Sequence, residues 1–301
     1  MEDQFSVGFQ ASLPCDPLAS FSCLVVNGQS DRTFTLAANV LPVTANCNSN
    51  LERWHRNDLI LGRFWQPEDG IDEALFESKS EEADHLKSQP HYLTYGEVTA
   101  LGVRQLAYEM GIANCDGGED RRNRFDDANA EYNYNEDDGG GIVFYDLGSG
   151  VGRLVTQMYI DQPDRVEKSV GIELSEGRHE IGINALKGII GEDLVERFDG
   201  LYSGGDAMPH FPIELIHGDA TEVVLDTRTT HVYISSLCFP KNVLLTIQEI
   251  LLKLPKIRVI AALNRLDTIL QLEGEEWQER NVPIQMSWGP STAKLYRKVK
   301  S

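Results

Sequence analysis

A glycine-rich turn that directly follows a buried-strand pattern constrains the fold of this chain more than any other segment. Residues 142–147 read Ile-Val-Phe-Tyr-Asp-Leu, an apolar run typical of a buried strand, and Gly-Ser-Gly-Val-Gly follows at 148–152. Because glycine has no Cβ, the backbone there can turn sharply and approach a ligand closely. Residues 153–159 then show helical spacing of apolar side chains, and the first N–H groups of a helix are unpaired. This strand, turn and helix predict a nucleotide-like ligand at the turn.

The turn alone leaves two cofactor classes open, dinucleotides and S-adenosylmethionine. Its spacing is G-x-G-x-G, which departs from the dinucleotide pattern G-x-G-x-x-G at the third glycine. Asp146 lies just before the first glycine and would place negative charge where a pyrophosphate should lie. A cationic ligand without phosphate fits better. S-adenosylmethionine carries an ammonium and a sulfonium, and a carboxylate at this turn can attract its aminoacyl end.

Two further acids follow at the ends of the next two predicted strands. Glu173 ends the strand pattern at 169–173, about 20 residues beyond the glycines, where an acid accepts hydrogen bonds from ribose hydroxyls. Asp219 follows the strand pattern at 213–216 and could accept a hydrogen bond from an adenine amino group. Each acid could also cap the helix or turn that follows it, and that role is compatible with ligand binding.

The alternation of strands and helices beyond residue 142 predicts an α/β fold. Residues 242–254 have a helical pattern, residues 257–262 form a buried-strand pattern, and the end of the chain predicts a hairpin. Such alternation gives a mostly parallel sheet with helices on both faces, and ligands of these sheets lie at the carboxyl ends of the strands.

The part of the chain up to residue 89 predicts a separate N-terminal cap or small subdomain. Residues 23–26 and 33–36 are strand-like, whereas residues 57–65 and 73–86 are helical in pattern.

Residues 115–141 are rich in Asp, Glu, Asn and Gly and predict a mobile insertion. Its acids could contact a basic protein surface, or the segment could simply be a solvated loop.

Four ordered motifs give the chain a specific resemblance. They are Tyr-Gly-Glu at 95–97, Asp-Leu-Gly-Ser-Gly-Val-Gly at 146–152, Gly-Ile-Glu at 171–173 and Gly-Asp at 218–219. Together they resemble the disruptor-of-telomeric-silencing family of histone lysine methyltransferases, which lack a SET domain. The resemblance covers the chain from about residue 90 to its end. It implies a class I, seven-stranded, Rossmann-like methyltransferase sheet at 90–301, preceded by a cap region at 1–89.

The resemblance also assigns the cofactor-binding residues. Residues 95–98 would fold over the methionine end of S-adenosylmethionine, and residues 146–152 would hold its aminoacyl portion. The chain has Arg153 where the family often has Gln or a small amide, and Ala220 in place of an aromatic residue that would stack on adenine. The complete set is Tyr95, Gly96, Glu97, Val98, Asp146, Gly148, Ser149, Gly150, Val151, Gly152, Arg153, Glu173, Asp219 and Ala220.

The acceptor side departs further from the family. An Asn-Asn-Phe-Ala-Phe signature is usual there, whereas this chain has Ser235-Ser236-Leu237-Cys238-Phe239. Hydroxyls replace both amides, so the target lysine should be oriented differently. Phe239 and Trp288, with Tyr296 as a further candidate, could line the lysine channel, and Ser235 or Ser236 could lie near the amine. Each of these aromatic residues could instead belong to the core.

The resemblance implies a nuclear histone lysine N-methyltransferase that acts on a nucleosomal core histone, with histone H3 in its globular core as the first candidate. The residue pattern also leaves open a methyltransferase for another protein or a small metabolite, an inactive cofactor-binding interaction module and, remotely, an NAD-dependent oxidoreductase.

Composition excludes several other classes of protein. A formal net charge of −20 argues against strong autonomous DNA binding and suits a basic protein substrate such as a histone. The five cysteines show no Cys-x-x-Cys pair and the seven histidines no His-x-x-x-His pair, so we expect reduced thiols in the cytosol or nucleus and no metal site. No apolar stretch is long enough to span a membrane, and the acidic start lacks the charge pattern of a signal peptide.

Overall fold

The computed structural model describes residues 7–8, 22–27, 30–35, 48–66, 97–113, 140–191, 212–269 and 277–299. The chain divides into two compact units. One comprises Met1–Ser49 and Cys115–Glu131, and the other comprises Asn50–Asn114 and Tyr132–Ser301.

The first unit contains an antiparallel three-stranded sheet. Its strands, in the order in which they pair, are β1 (Val7–Gly8), β2 (Ser22–Asn27) and β3 (Ser30–Thr35). Asn27 at the end of β2 pairs with Ser30 at the start of β3, so the two strands form a hairpin. The strand patterns predicted at 23–26 and 33–36 are thus confirmed as strands.

The second unit is an α/β sandwich built on a seven-stranded sheet. Its helices are α1 (Asn48–Phe64), which begins just before the unit, α2 (Ala100–Glu109), α3 (Arg153–Asp161), α4 (Glu176–Gly191) and α5 (Lys241–Leu252). Its strands are β4 (Ile142–Leu147), β5 (Val166–Glu173), β6 (Ile213–His217), β7 (His231–Ile234), β8 (Val259–Ala262), β9 (Trp277–Met286) and β10 (Gly289–Lys298).

The sheet has the strand order β6-β5-β4-β7-β8-β10-β9. The first five strands in this order are parallel, and β10 pairs antiparallel with both β8 and β9. The chain leaves β4 first toward β5 and β6 and later returns to place β7 on the other side of β4. This reversal opens a crevice at the carboxyl ends of the central strands, which is where open α/β sheets bind their ligands. The predicted seven-stranded, mostly parallel α/β sheet is confirmed.

Side chains of β4 alternate between two apolar layers. Phe144 packs in the layer that includes Leu61 of α1 and Met158 of α3. Val143 lies in the opposite layer, with Leu251 of α5. Because both faces of β4 are covered, the strand is buried along its whole length, as its apolar run predicted.

Two predicted segments of the chain lie outside the described residues. They are the helix predicted at 73–86 and nearly all of the insertion predicted at 115–141. The helical pattern at 57–65 corresponds to part of α1. The domain boundary predicted near residue 90 stays a prediction.

Across the described residues, no helix combines the length and the apolar character that a membrane span requires.

Candidate functional site

The glycine turn is held in a left-handed backbone conformation. Gly148, Gly150 and Gly152 have φ angles of 82°, 56° and 73°. The backbone N–H groups of Gly148 and Ser149 both donate to the carbonyl oxygen of Ile172, at 2.9 and 3.0 Å. A Cβ on Gly148 would lie 3.0 Å from Cζ of Phe239, so a larger residue there would be both strained and crowded. The turn therefore requires glycine and fixes the end of β4 against the end of β5.

A cavity of about 240 Å³ opens at the carboxyl ends of β4, β5, β6 and β7. Most of the site residues predicted from sequence line it. These are Glu97, Val98, Asp146, Gly148, Ser149, Gly150, Arg153, Glu173, Asp219, Ala220, Ser235, Phe239 and Trp288.

Asp146 places a carboxylate at the floor of this cavity. Only 2% of the residue is exposed, and its Oδ1 has no hydrogen-bond partner among the described residues. Burial raises the pKa of Asp146 well above its ordinary value, and the nearby charge of Glu173 raises it further. A buried carboxylate oxygen without a partner is costly, so this atom is suited to a ligand that brings a hydrogen-bond donor or a positive charge.

Glu173 is held rigidly at the end of β5. Its Oε2 accepts a hydrogen bond of 2.7 Å from the backbone N–H of Gly150. Its Oε1 accepts one of 2.9 Å from the backbone N–H of Ser175 and lies 3.2 Å from Nη2 of Arg178. These contacts orient the carboxylate at the cavity wall and tie the glycine turn to the second strand end.

Asp219 follows β6, and its side chain accepts hydrogen bonds from the turn that begins there. Its Oδ1 accepts two hydrogen bonds of 2.7 Å, from the backbone N–H and the hydroxyl of Thr221. Since these bonds use Oδ1 alone, Oδ2 is left to accept from a ligand at the third strand end.

One wall of the cavity is built from two distant parts of the chain. Val98 pairs with Met286, and Glu97 and Ser287 exchange two hydrogen bonds, in which Glu97 N donates to Ser287 Oγ at 3.1 Å and Ser287 N donates to Glu97 O at 2.7 Å. This pairing places Trp288, in the turn between β9 and β10, at the rim of the cavity with 53% of its surface exposed.

Arg153 adds a positive charge to the cavity. Its Nη1 lies 4.0 Å from Oε2 of Glu97, and its Nε is buried without a hydrogen-bond partner among the described residues. The cavity therefore presents both a buried carboxylate oxygen and a buried guanidinium N–H that the rest of the described protein leaves unpaired. Together they suit a ligand that carries both charges, such as an amino-acid zwitterion.

The segment after β7 forms the opposite wall. Ser235 lines the cavity, and its backbone N–H donates to the carbonyl oxygen of Leu147 at 3.1 Å. Phe239 also lines the cavity, and Leu237 lies at its edge with 50% exposure. Tyr233 borders the same space from the strand position beside Asp146, and burial raises the pKa of its hydroxyl. This wall combines apolar side chains with hydroxyl groups.

Some predicted residues lie elsewhere. Ser236 is fully buried behind the wall, where its Oγ accepts a hydrogen bond of 2.7 Å from the backbone N–H of Asn264. Val151 and Gly152 belong to the turn but do not line the cavity. Tyr296 is a core residue whose hydroxyl accepts a hydrogen bond from the backbone N–H of Leu266. Tyr95 and Gly96 lie outside the described residues.

Several cavity residues were missed at the sequence level. Arg178 and Tyr233 are the polar ones used above, and most of the others are apolar. Helical spacing does not relate Arg178 to the acid at 173, because Glu173 ends β5 and α4 begins only at Glu176. Ile172, Gly218, Leu237 and Cys238 lie within segments that the sequence analysis singled out, although no role was assigned to them. The other residues lie outside every motif and are Leu154, Leu174, Ser175, Pro240, Val243 and Leu263.

Among the described residues, no cluster of His, Cys, Asp and Glu has the composition of a metal site.

These features fit S-adenosylmethionine better than a phosphate-containing cofactor. A nearby pyrophosphate would bring no donor to the unpaired Oδ1 of Asp146, and its negative charge would raise the pKa of this carboxyl further. A cationic ligand would supply a donor and lower this pKa. The left-handed glycine turn provides the close backbone approach that such a ligand needs.

Comparison with solved structures finds methyltransferases with low similarity. Precorrin-6y C5,15-methyltransferase from Geobacter metallireducens GS-15 is 15% identical, with a TM-score of 0.36, over 54% of this chain and 81% of that chain. A Thermoplasma acidophilum protein, designated 1320, is 11% identical with a TM-score of 0.38, over 71% of this chain and 95% of that chain. A methyltransferase from Thiobacillus denitrificans in complex with S-adenosyl-L-homocysteine is 17% identical with a TM-score of 0.28, over 47% of this chain and 44% of that chain. At such low values these structures carry no argument about substrate.

Comparison with curated protein sequences finds no match. The sequence model of one family, histone methylation protein DOT1, matches residues 117–269, just over half of the chain. The matched range contains the glycine turn, the three strand-end acids and the segment after β7. The chain therefore belongs to the DOT1 family of histone methylation proteins and is a methyltransferase that uses S-adenosylmethionine.

Proposed function

We propose that this methyltransferase transfers a methyl group to a lysine side chain of a nucleosomal core histone in the nucleus, with histone H3 in its globular core as the first candidate. The family match carries this proposal, because the family is described by histone methylation. The net charge of −20 supports it, since an acidic protein attracts a basic substrate and needs other contacts or partners to approach DNA.

The donor would lie along the three strand ends. Asp146 would accept from the ammonium group of the donor and Arg153 would donate to its carboxylate, because each offers a buried, unpaired polar atom of the right charge. Glu173 would accept from the ribose hydroxyls and Asp219 from the adenine amino group. Glu97 and Val98 would close the wall on the methionine side, together with Tyr95 and Gly96. When bound, S-adenosylmethionine supplies a methyl group on a positively charged sulfur.

The acceptor lysine would enter past Trp288 and Leu237, two exposed apolar side chains at the rim. Only an uncharged amine is nucleophilic, and an apolar channel favours the uncharged form because it removes water from the ammonium. Phe239 would exclude water deeper in the channel, and the Ser235 hydroxyl would accept a hydrogen bond from the amine and orient its lone pair. No general base is assigned.

We also infer that residues 90–301 form the catalytic domain and residues 1–89 an N-terminal region. Part of that region, residues 50–66, packs with the catalytic sheet in the second unit.

The experiment is methyl transfer from isotope-labelled S-adenosylmethionine to nucleosomes, free core histones and small amines in parallel, followed by mass spectrometry of the labelled product. We expect label on a histone lysine. A matched control is Gly150→Arg, which places a large side chain in a turn with a φ of 56° and should abolish donor binding. Label on small amines alone, or on no acceptor despite donor binding, would contradict the proposed acceptor.

A further inference from the structure

Helix α1 ends against the glycine turn of the donor site. Trp65, the residue after the helix, is 1% exposed, and its indole Nε1 donates a hydrogen bond of 2.6 Å to the carbonyl oxygen of Val151. Eighty-six positions of sequence separate the two residues. The bond therefore joins the N-terminal part of the chain to the turn that forms the floor of the cavity.

This carbonyl belongs to a peptide of the turn that is hydrogen-bonded at both ends. The peptide between Val151 and Gly152 follows Gly150, and both glycines have positive φ angles. Glycine imposes little steric preference on the neighbouring peptide, so hydrogen bonds must select its orientation. The peptide is planar, and its other end is fixed because Gly152 N donates to Ser149 O at 2.9 Å. Trp65 holds the carbonyl end of the same peptide.

The backbone of the turn also contacts Glu173, the acid proposed to bind the donor. One residue earlier, the N–H of Gly150 donates to Oε2 of Glu173 at 2.7 Å. Because Gly150 directly precedes Val151, a shift of the Val151 backbone would move this N–H away from the carboxylate. The hydrogen bond from Trp65 thus supports the position of Glu173 through the turn.

Helix α1 is itself anchored firmly enough to serve as this support. Asn57 donates from Nδ2 to Ile160 O and to Asp161 Oδ1, both at 2.8 Å. Arg104 of α2 pairs with Asp161 of α3 at 3.0 Å and with Asp58 of α1 at 2.7 Å. Because this ion-pair network is largely buried, removing any member would leave a costly unpaired group. The network fixes α1 to α2 and α3.

We propose that Trp65 is a positioning residue for donor binding: through its hydrogen bond to Val151, α1 holds the glycine turn in the form that binds S-adenosylmethionine. The proposal concerns the donor site, and its tests measure donor binding alone, so it does not depend on the identity of the acceptor.

The test replaces Trp65 by Phe, which keeps an aromatic ring but removes the N–H donor. We expect the dissociation constant for S-adenosylhomocysteine, measured by calorimetry, to rise roughly 5- to 30-fold, because a buried carbonyl loses its partner and the turn gains an alternative orientation. An unchanged dissociation constant would overturn the proposal.

The matched control is Leu251→Ala on α5. Leu251 is fully buried, but it lies in the apolar layer that does not include Leu61 or Trp65. This variant should lower the melting temperature at least as much as Trp65→Phe while leaving the affinity for S-adenosylhomocysteine within about twofold. If affinity falls in both variants in proportion to melting temperature, the effect is general destabilisation and the proposal is wrong.

A second measurement needs no variant. If α1 and the donor stabilise the same form of the turn, S-adenosylhomocysteine must stabilise the docked end of α1 by the same coupling energy. Amide hydrogen exchange at residues 61–66 of the native chain should therefore slow when the ligand binds. Exchange that does not change at saturating ligand would overturn the proposal even if Trp65→Phe failed to fold.

Discussion

Replacing Asp146 by Asn should make the protein more stable and its donor site weaker. The two side chains have nearly the same shape, so the change chiefly removes a negative charge. In the ligand-free protein that charge lies on a residue that is 2% exposed, and Oδ1 is unpaired within the described structure. The opposite signs of the two effects distinguish a ligand-binding carboxylate from a structural one.

The size of the stability gain follows from the environment of Asp146. Asparagine keeps the unpaired side-chain oxygen but carries no charge, so the gain equals the cost of burying the charge, about 1.4 kcal/mol for each unit by which burial raises the pKa. We therefore expect Asp146→Asn to raise the free energy of unfolding by about 1–3 kcal/mol. In a domain of this size, each kcal/mol raises the melting temperature by about 2–4 °C.

The loss of affinity follows from the ligand. A hydrogen bond between a carboxylate and an ammonium contributes about 1.5–3 kcal/mol, and an amide oxygen recovers only part of it. The dissociation constant for S-adenosylhomocysteine should rise about 10- to 150-fold.

The stability of the native chain should also depend on pH through this residue. Burial raises the pKa of Asp146 above that of an unfolded aspartate, which is about 4. At a pH between the pKa of the unfolded aspartate and that of the folded one, folding therefore takes up a proton. The contribution of the protonated form to stability is fully present below a pH of about 4. It is lost as the pH rises through the raised pKa. Asp146→Asn should lack this decline.

Melting curves and calorimetric titrations with S-adenosylhomocysteine across this pH range provide the assay. Asp226→Asn is a suitable control, because hydrogen bonding to Arg228 lowers the pKa of this partly exposed acid and it does not line the cavity. Its loss should slightly destabilise the protein and leave donor affinity unchanged. An Asp146→Asn protein that melts lower than the native chain and binds S-adenosylhomocysteine equally well would refute the assignment.

Four further substitutions test the rest of the site. Arg153→Met should weaken S-adenosylhomocysteine about tenfold in calorimetry but leave 5′-methylthioadenosine unaffected, since that ligand has no carboxylate; equal losses for both would argue against carboxylate binding. Gly148→Ala, with a φ of 82° and Phe239 at 3.0 Å from the new methyl, should lower the free energy of unfolding by about 1–3 kcal/mol in urea titrations, and a neutral effect would show that the turn relaxes. Ser235→Ala should reduce methyl transfer more than donor affinity in steady-state kinetics, whereas Ser236→Ala should mainly lower the melting temperature; the reverse pattern would place Ser236 in the channel.

The position of the cavity and the acids that line it were predictable from sequence because their information is local. Asp146, Glu173 and Asp219 each end a strand pattern, and parallel strands bring their carboxyl ends to one edge. Periodicity and turn residues were sufficient for both the fold and the cavity position.

The acceptor side was less predictable. Ser235 and Ser236 are adjacent and chemically identical, yet one lines the cavity and the other is buried against Asn264. Their directions depend on the single 3₁₀ turn at Ser236–Cys238, which no period in the sequence specifies.

Long-range polar contacts were not predictable at all. Arg104 in α2 has the pattern of a surface residue, but it is buried between Asp58 and Asp161. Trp65 similarly resembles any aromatic residue at the end of an amphipathic helix, and no local signal pairs it with Val151. Such pairs depend on the packing of helices that are distant in sequence.

The anchoring of α1 has a consequence for how the protein is made. The helix leaves the ribosome before any of the partners that bury Leu61 and Trp65, and Val151 follows Trp65 by 86 residues. At about 5–20 residues per second, about 4–17 seconds pass between the synthesis of Trp65 and that of Val151. During this time the apolar face of α1 lacks part of the surface on which it docks. Chaperone protection of the nascent chain should therefore matter most in this interval, and the donor site is completed only when α1 docks.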